Sequence, residues 1–214
     1  MCQALKLKKD FILFFLGLLA SFFVTSGLAY AETKRLMIFG DSLVAGYGLP
    51  IEEGFTGQLQ KRLNDEALAF EIINAGVSGD TSAGGLARLD WSLAEKPDYI
   101  LIVLGGNDLL RGINPAATRQ NLDQILARLH ELRIRTLLAG MLAPVNLGPE
   151  YGAEFNLIYP ELAKKYHTSF YPFFLKDVAL DPKLNQSDGL HPNAEGVAKI
   201  IEEMMPILSL FLAK

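Results

Sequence analysis

Tyr99–Leu104 reads Y-I-L-I-V-L, six apolar residues without a break, and stops at Gly105-Gly106-Asn107-Asp108. An unbroken apolar run of strand length suits a central parallel strand buried on both faces, and such a strand needs helices covering each side of its sheet. The rest of the chain supplies them. Strand-like pieces recur at Arg35–Phe39 (R-L-M-I-F), Phe70–Asn74, Arg135–Met141 and Thr168–Tyr171. Between them lie helical pieces. Phe55, Leu59 and Leu63 fall at i, i+4 and i+8 over Phe55–Asn64, one apolar face of a helix. Leu86–Ala94 is helical up to Lys96-Pro97, since the residue before a proline disfavours the α region. Asn114-Pro115 forms a cap and first helical position for a helix running to about Glu131. Ala153–Tyr166 and Ala194–Leu212 complete the set, and Ala75–Gly85 and Ala143–Gly152 read as loops. Strands alternating with helices imply right-handed crossovers. The expected fold is a flavodoxin-like three-layer α/β/α sandwich around a five-stranded parallel sheet, in one domain spanning residues 32–214.

The first 31 residues read differently. Lys6, Lys8 and Lys9 precede an apolar run from Phe11 to Leu28 that ends in Ala29-Tyr30-Ala31. A basic start, an apolar stretch and an A-x-A site are the parts of a secretory signal peptide. The competing reading is an uncleaved membrane anchor, as the run is nearly long enough to span a bilayer. Gly17, Ser21, Thr25, Ser26 and Gly27 dilute it and favour cleavage after Ala31, hence a periplasmic or secreted protein with no stable membrane anchor. Cleavage takes 20 basic and 24 acidic residues to 17 and 23, a net charge of −6. Phosphate binding needs a basic face, so this balance argues against nucleic acid as a partner. The one cysteine, Cys2, leaves with the signal, so the exported chain has no disulfide. Three histidines and no remaining cysteine give no basis for a transition-metal site.

Polar, glycine-flanked clusters follow strand one (Gly40-Asp41-Ser42-Leu43), strand two (Gly76–Asp80), strand three (Gly105–Asp108) and strand five (Asp188–His191). In an open α/β sheet the carboxyl ends of the strands lie along one edge, where ligands bind. A serine such as Ser42, taken alone before a helix, is more often a helix cap than a nucleophile. Serine needs a base within hydrogen-bond reach. Of the three histidines, His130 sits at the polar end of a helix and His167 in a helix-to-strand turn on the opposite edge. His191 stands three residues after Asp188 in D-G-L-H-P. At that one-turn spacing a carboxylate can reach Nδ1–H and leave Nε2 to take a serine proton. The backbone N–H groups of Ser42 and Gly79 and the side-chain amide of Asn107 are candidate donors to an oxyanion. Leu109, Leu110, Leu142, Val145, Leu147 and Leu190 are candidates to line an acyl groove, with ordinary loop packing as the alternative. Gly76–Asp80 lacks the final glycine of a G-x-S-x-G elbow, and Gly46-Tyr47-Gly48 lacks the third glycine of a dinucleotide fingerprint.

Together the four clusters resemble the blocks of the GDSL, or SGNH, hydrolase family. Gly40-Asp41-Ser42-Leu43 matches the first block, Gly79 the second, Gly105-Gly106-Asn107-Asp108 the third and Asp188-Gly189-Leu190-His191-Pro192 the last. Within the family the chain is most similar to the bacterial periplasmic thioesterase I/lysophospholipase L1 and arylesterase group, through Asn74–Ser82, Gly85–Leu89, Leu104–Gly112 and Ile158-Tyr159-Pro160. The resemblance covers nearly all the chain from Arg35. It implies an esterase acting on acyl esters and acyl thioesters without a cofactor, with Ser42 as nucleophile, His191 as base, Asp188 as its partner, and Ser42, Gly79 and Asn107 as the oxyanion hole. A carbohydrate O-acetylesterase on the same triad is the alternative. A non-catalytic periplasmic binding protein is the more distant one. Specificity and oligomeric state stay open at this level.

Overall fold

The computed structural model describes residues 33–213; the signal-peptide reading of residues 1–31 falls outside them. In chain order the elements are β1 (Lys34–Gly40), α1 (Ser42–Ala45), α2 (Phe55–Asp65), β2 (Phe70–Gly76), α3 (Ser82–Leu93), β3 (Tyr99–Val103) and α4 (Gly106–Leu110). They continue with α5 (Pro115–Glu131), β4 (Arg135–Ala139), a 3₁₀ turn (Val145–Leu147), α6 (Pro149–Lys165), β5 (Ser169–Tyr171) and α7 (Ala194–Leu212).

The five strands form one sheet in the order β2-β1-β3-β4-β5, parallel throughout. This is the flavodoxin-like order. Leu36–Phe39 of β1 and Ile100–Val103 of β3 are completely buried, as unbroken apolar runs at the middle of a two-sided sheet require. Phe55, Leu59 and Leu63 of α2, and Leu122, Ile125, Leu126 and Leu129 of α5, bury the faces their spacing marks. Asn114 caps α5 by accepting from Ala116 N–H at 2.8 Å. The chain leaves β1 toward β2 on one side and returns to β3 on the other. The switch between those directions opens a crevice at the carboxyl ends of β1 and β3. Ser42 and Asn107 flank it.

Two stretches read as loops differ from that expectation. Ala75–Gly85 is not a continuous loop: β2 continues to Gly76 and α3 starts at Ser82. The early start has two causes. The Thr81 hydroxyl accepts from Gly84 N–H, and the buried Asp108 carboxylate accepts from Ser82 N–H at 2.8 Å and from Ser82 Oγ at 2.5 Å. Gly105 is the cap of α4, and Gly106-Asn107-Asp108 form its first turn. The end of Ala143–Gly152 is helical, because Pro149 is preorganised for a first helical turn.

Candidate active site

Ser42 is the first residue of α1, and the cap of that helix is Asp41, whose Oδ1 accepts from Leu43 N–H at 3.0 Å. With capping done by its neighbour, the Ser42 hydroxyl is free for another partner. Ser42 Oγ donates to Nε2 of His191 at 2.8 Å, across 149 residues of sequence. On the other side of the imidazole, Nδ1–H donates to Asp188 Oδ2 at 2.6 Å. An ionised carboxylate only accepts, so Asp188 places the proton on Nδ1 and leaves Nε2 as the acceptor. Asp188 is itself fixed, its Oδ1 accepting from Leu190 N–H at 2.9 Å and His191 N–H at 3.0 Å. Those backbone bonds, led by that from His191, together with the imidazole hold the Asp188 carboxyl down at about 2.

The candidate oxyanion donors lie on three different connections. The N–H groups of Ser42 and Gly79 have no acceptor among the described residues. Asn107 directs one amide proton to Asp41 Oδ2 at 3.2 Å and keeps the other. Asp41 is 1% exposed, and burial pushes its carboxyl up to about 6 against the opposing hydrogen bonds from Leu43 and Asn107. Gly79 has φ +84°, a left-handed conformation that explains a glycine there. Its carbonyl accepts from Arg111 Nη2 at 2.7 Å. The next residue, Asp80, pairs with Arg88 Nε at 2.6 Å, and Arg88 Nη2 donates to Gly40 O at 2.8 Å. Arg88 thereby ties the Gly79 loop to the end of β1.

A groove of about 440 Å³ opens beside Ser42 and His191. Leu109, Leu110, Leu142, Leu147 and Leu190 line it, as do Asp41 and Asn107. Val145, expected on this wall, is 98% exposed and lies outside it, whereas its neighbours Pro144, Asn146 and Leu147 face in. A 3₁₀ turn has three residues per turn, so one residue of such a segment points away. Gly79 is not part of the groove wall either. Sequence reasoning missed Met141, Phe173, Leu175 and Leu180 on the wall. Phe173, Leu175 and Leu180 fall in the largely apolar stretch Tyr171–Leu180 ahead of the Asp188 loop, and Met141 lies just beyond the end of β4. His130 and His167 line a separate cavity of about 510 Å³ with Arg133 and Arg135, at the amino ends of β4 and β5.

The GDSL-like Lipase/Acylhydrolase family model matches residues 38–199, which include every residue of this site. The chain belongs to that family. Esterase TesA of Pseudomonas aeruginosa is 41% identical to it over 179 residues, 83% of this chain and 89% of that protein. Thioesterase 1/protease 1/lysophospholipase L1 of Escherichia coli is 39% identical over 175 residues, 81% of this chain and 83% of the other. The crystal structure of AlinE4, an SGNH-hydrolase family esterase, superposes with a TM-score of 0.71 at 46% identity, covering 84% of this chain and 96% of that one. The five-stranded parallel sheet flanked by helices is thus the arrangement of the GDSL/SGNH hydrolases.

Proposed function

We propose that the chain is a serine esterase that hydrolyses acyl esters and acyl thioesters through a covalent acyl-enzyme. The observation that carries this is the Ser42–His191–Asp188 hydrogen-bonded chain at the mouth of an apolar groove. Ser42 Oγ attacks the acyl carbonyl as Nε2 takes its proton, and Asp188 stabilises the imidazolium that forms. The negative charge moves to the carbonyl oxygen, where Ser42 N–H, Gly79 N–H and the second Asn107 Nδ2–H are the donors. Collapse of the tetrahedral adduct breaks the ester or thioester bond, and the imidazolium protonates the departing alcohol or thiol. Water, deprotonated by the same Nε2, then attacks the acyl-serine and releases the carboxylic acid.

A serine-directed alkyl phosphonate adds to residues 32–214 once, and peptide mass mapping finds the adduct on Ser42. Absence of an adduct at Ser42 rejects the reading. The groove sets the acyl preference. Each methylene buried in it adds about 0.8 kcal/mol, so kcat/KM for p-nitrophenyl esters rises about fourfold per methylene until the groove is full. A flat profile from acetyl to decanoyl rejects the groove as an acyl site, and a maximum at acetyl favours O-acetylesterase activity.

From Lys6, Lys8 and Lys9, the apolar run Phe11–Leu28 and the A-x-A at Ala29-Tyr30-Ala31, we also propose that the enzyme is exported. Expressed in full in a bacterial host, the chain is expected in the periplasm with Glu32 as its first residue. An N-terminus at Met1 on membrane-bound material rejects export by cleavage and favours the anchor.

A further inference from the structure

The hydrogen bond between Ser42 and His191 joins the start of α1 to the Asp188–His191 loop, two segments that are not paired as strands. The second of them is held by the bridge Asn185–Pro192, by turns of its own, by Asn193 N–H to Leu184 O at 2.9 Å, by Asn193 Nδ2 to Lys183 O at 2.7 Å and by Asn185 Nδ2 to Val178 O at 2.7 Å, and none of these bonds reaches Ser42. Something else must keep Nε2 at 2.8 Å from the serine oxygen. Two side chains outside the triad span the gap.

Gln186 is the first. Its Nε2 donates to Tyr47 O at 2.8 Å, on the serine side, and to Pro192 O at 3.0 Å, on the histidine side. Its backbone N–H donates to His191 O at 2.7 Å, and its carbonyl accepts from Gly189 N–H at 2.9 Å. One residue thus touches both sides through three donated bonds. Gly48 leaves room for it: a Cβ there would fall 2.2 Å from Gln186 Oε1.

Tyr47 is the second. Its N–H donates to Ser42 O at 3.1 Å, so its place follows that of the serine. Its ring lies 4.6 Å from the His191 imidazole, centroid to centroid, at 37° between planes. The ring is half exposed, and contact with the imidazole is what this apolar surface gains by lying there. A π face against the imidazole also attracts it once it carries the serine proton.

We propose that Tyr47 and Gln186 are positioning residues that hold His191 in attacking register with Ser42. The inference rests on the esterase reading above, since it assigns them to the base of that reaction. Displacements of about 1 Å in a reacting constellation cost on the order of 10²-fold in rate.

The test is steady-state hydrolysis of p-nitrophenyl butyrate by residues 32–214 carrying Gln186→Met, Tyr47→Ala or Tyr47→Phe, with the rate of phosphonate labelling of Ser42 and the melting temperature alongside. Gln186→Met keeps the side-chain length and removes the donor. It is expected to lower kcat about 10- to 100-fold, with KM within about twofold and labelling slowed in parallel. Tyr47→Ala is expected to lower kcat about tenfold, and Tyr47→Phe, which keeps the ring, to stay within about twofold of the parent. Parental kcat and labelling rate in Gln186→Met and Tyr47→Ala overturn the proposal. So does a loss of rate that appears equally in Tyr47→Phe or follows only a fallen melting temperature. If the parent itself resists the phosphonate, the esterase reading fails first; labelling of parent and variants at one rate defeats the positioning role alone.

Discussion

Replacing Ser42 with alanine is expected to lower kcat for p-nitrophenyl butyrate by about 10⁴–10⁶-fold, and His191→Ala to lower it by a similar factor. The double variant is expected to lose no more than either single one. Oγ and Nε2, 2.8 Å apart, make one device: without the base the hydroxyl is a poor nucleophile, and without the hydroxyl the base has nothing to deprotonate. Asp188→Asn is expected to cost about 10⁴. The asparagine oxygen can still accept from Leu190 N–H and His191 N–H and keep the turn, but an amide no longer holds Nδ1–H and the imidazolium as the carboxylate does. The measurements are kcat and kcat/KM of the four variants and the parent, with far-UV spectra and melting temperatures to show that each is folded. Losses that add on a logarithmic scale would mean that Ser42 and His191 act separately, and the acyl-enzyme mechanism would fall with that result.

The parts of this site legible in the sequence are those set by spacing along the chain. Asp188 and His191 are three residues apart, and one turn of backbone brings carboxylate and imidazole together whatever the rest of the protein does. The apolar runs of β1 and β3 place Ser42 and Asn107 at neighbouring strand ends, because buried parallel strands start and stop with their hydrophobic residues. Contacts that depend on tertiary placement are not legible there. The start of α3 at Ser82 is set by the adjacent Thr81 cap and by Asp108, 26 residues later, and a window of local sequence does not reach the second of these. Val145 escapes its expected place because apolar character does not say which way a 3₁₀ residue points. Gln186 looks like any polar loop residue until Tyr47, 139 positions away, is laid beside it. Ser42 is a plausible cap by type, yet Asp41 is the residue that caps, and the two roles divide between adjacent side chains.

Asp41→Asn is expected to lower kcat by about 10²–10³-fold while making the protein more stable above pH 6. Asp41 Oδ2 accepts from Asn107 Nδ2, which turns the Asn107 amide so that its second proton is available to an oxyanion. An asparagine at 41 can keep the cap on Leu43 N–H through its oxygen, but then sets its own Nδ2 against that of Asn107. Relief of that clash turns the Asn107 amide over and replaces a donor at the oxyanion with an acceptor. The stability effect has the opposite sign. Burial raises the Asp41 carboxyl from 3.8 to about 6, so the native protein holds this proton more tightly than the unfolded chain does. The stabilisation from that proton is complete below pH 3.8 and is lost as the pH rises through about 6. At pH 8 the folded protein carries a buried anion at a cost of about 3 kcal/mol relative to pH 3, which a neutral asparagine does not incur. The melting temperature of the variant minus that of the parent is therefore expected to be higher at pH 8 than at pH 4 by several degrees, at about 2–4 °C per kcal/mol for a domain of this size. Thermal melts at the two pH values and kcat at pH 8 are the measurements. A variant with parental kcat would reduce Asp41 to a helix cap. A melting difference independent of pH would mean that the carboxyl is not destabilised by its burial. Both effects together would show the catalytic site held in place by an anion that the fold retains at the expense of its own stability.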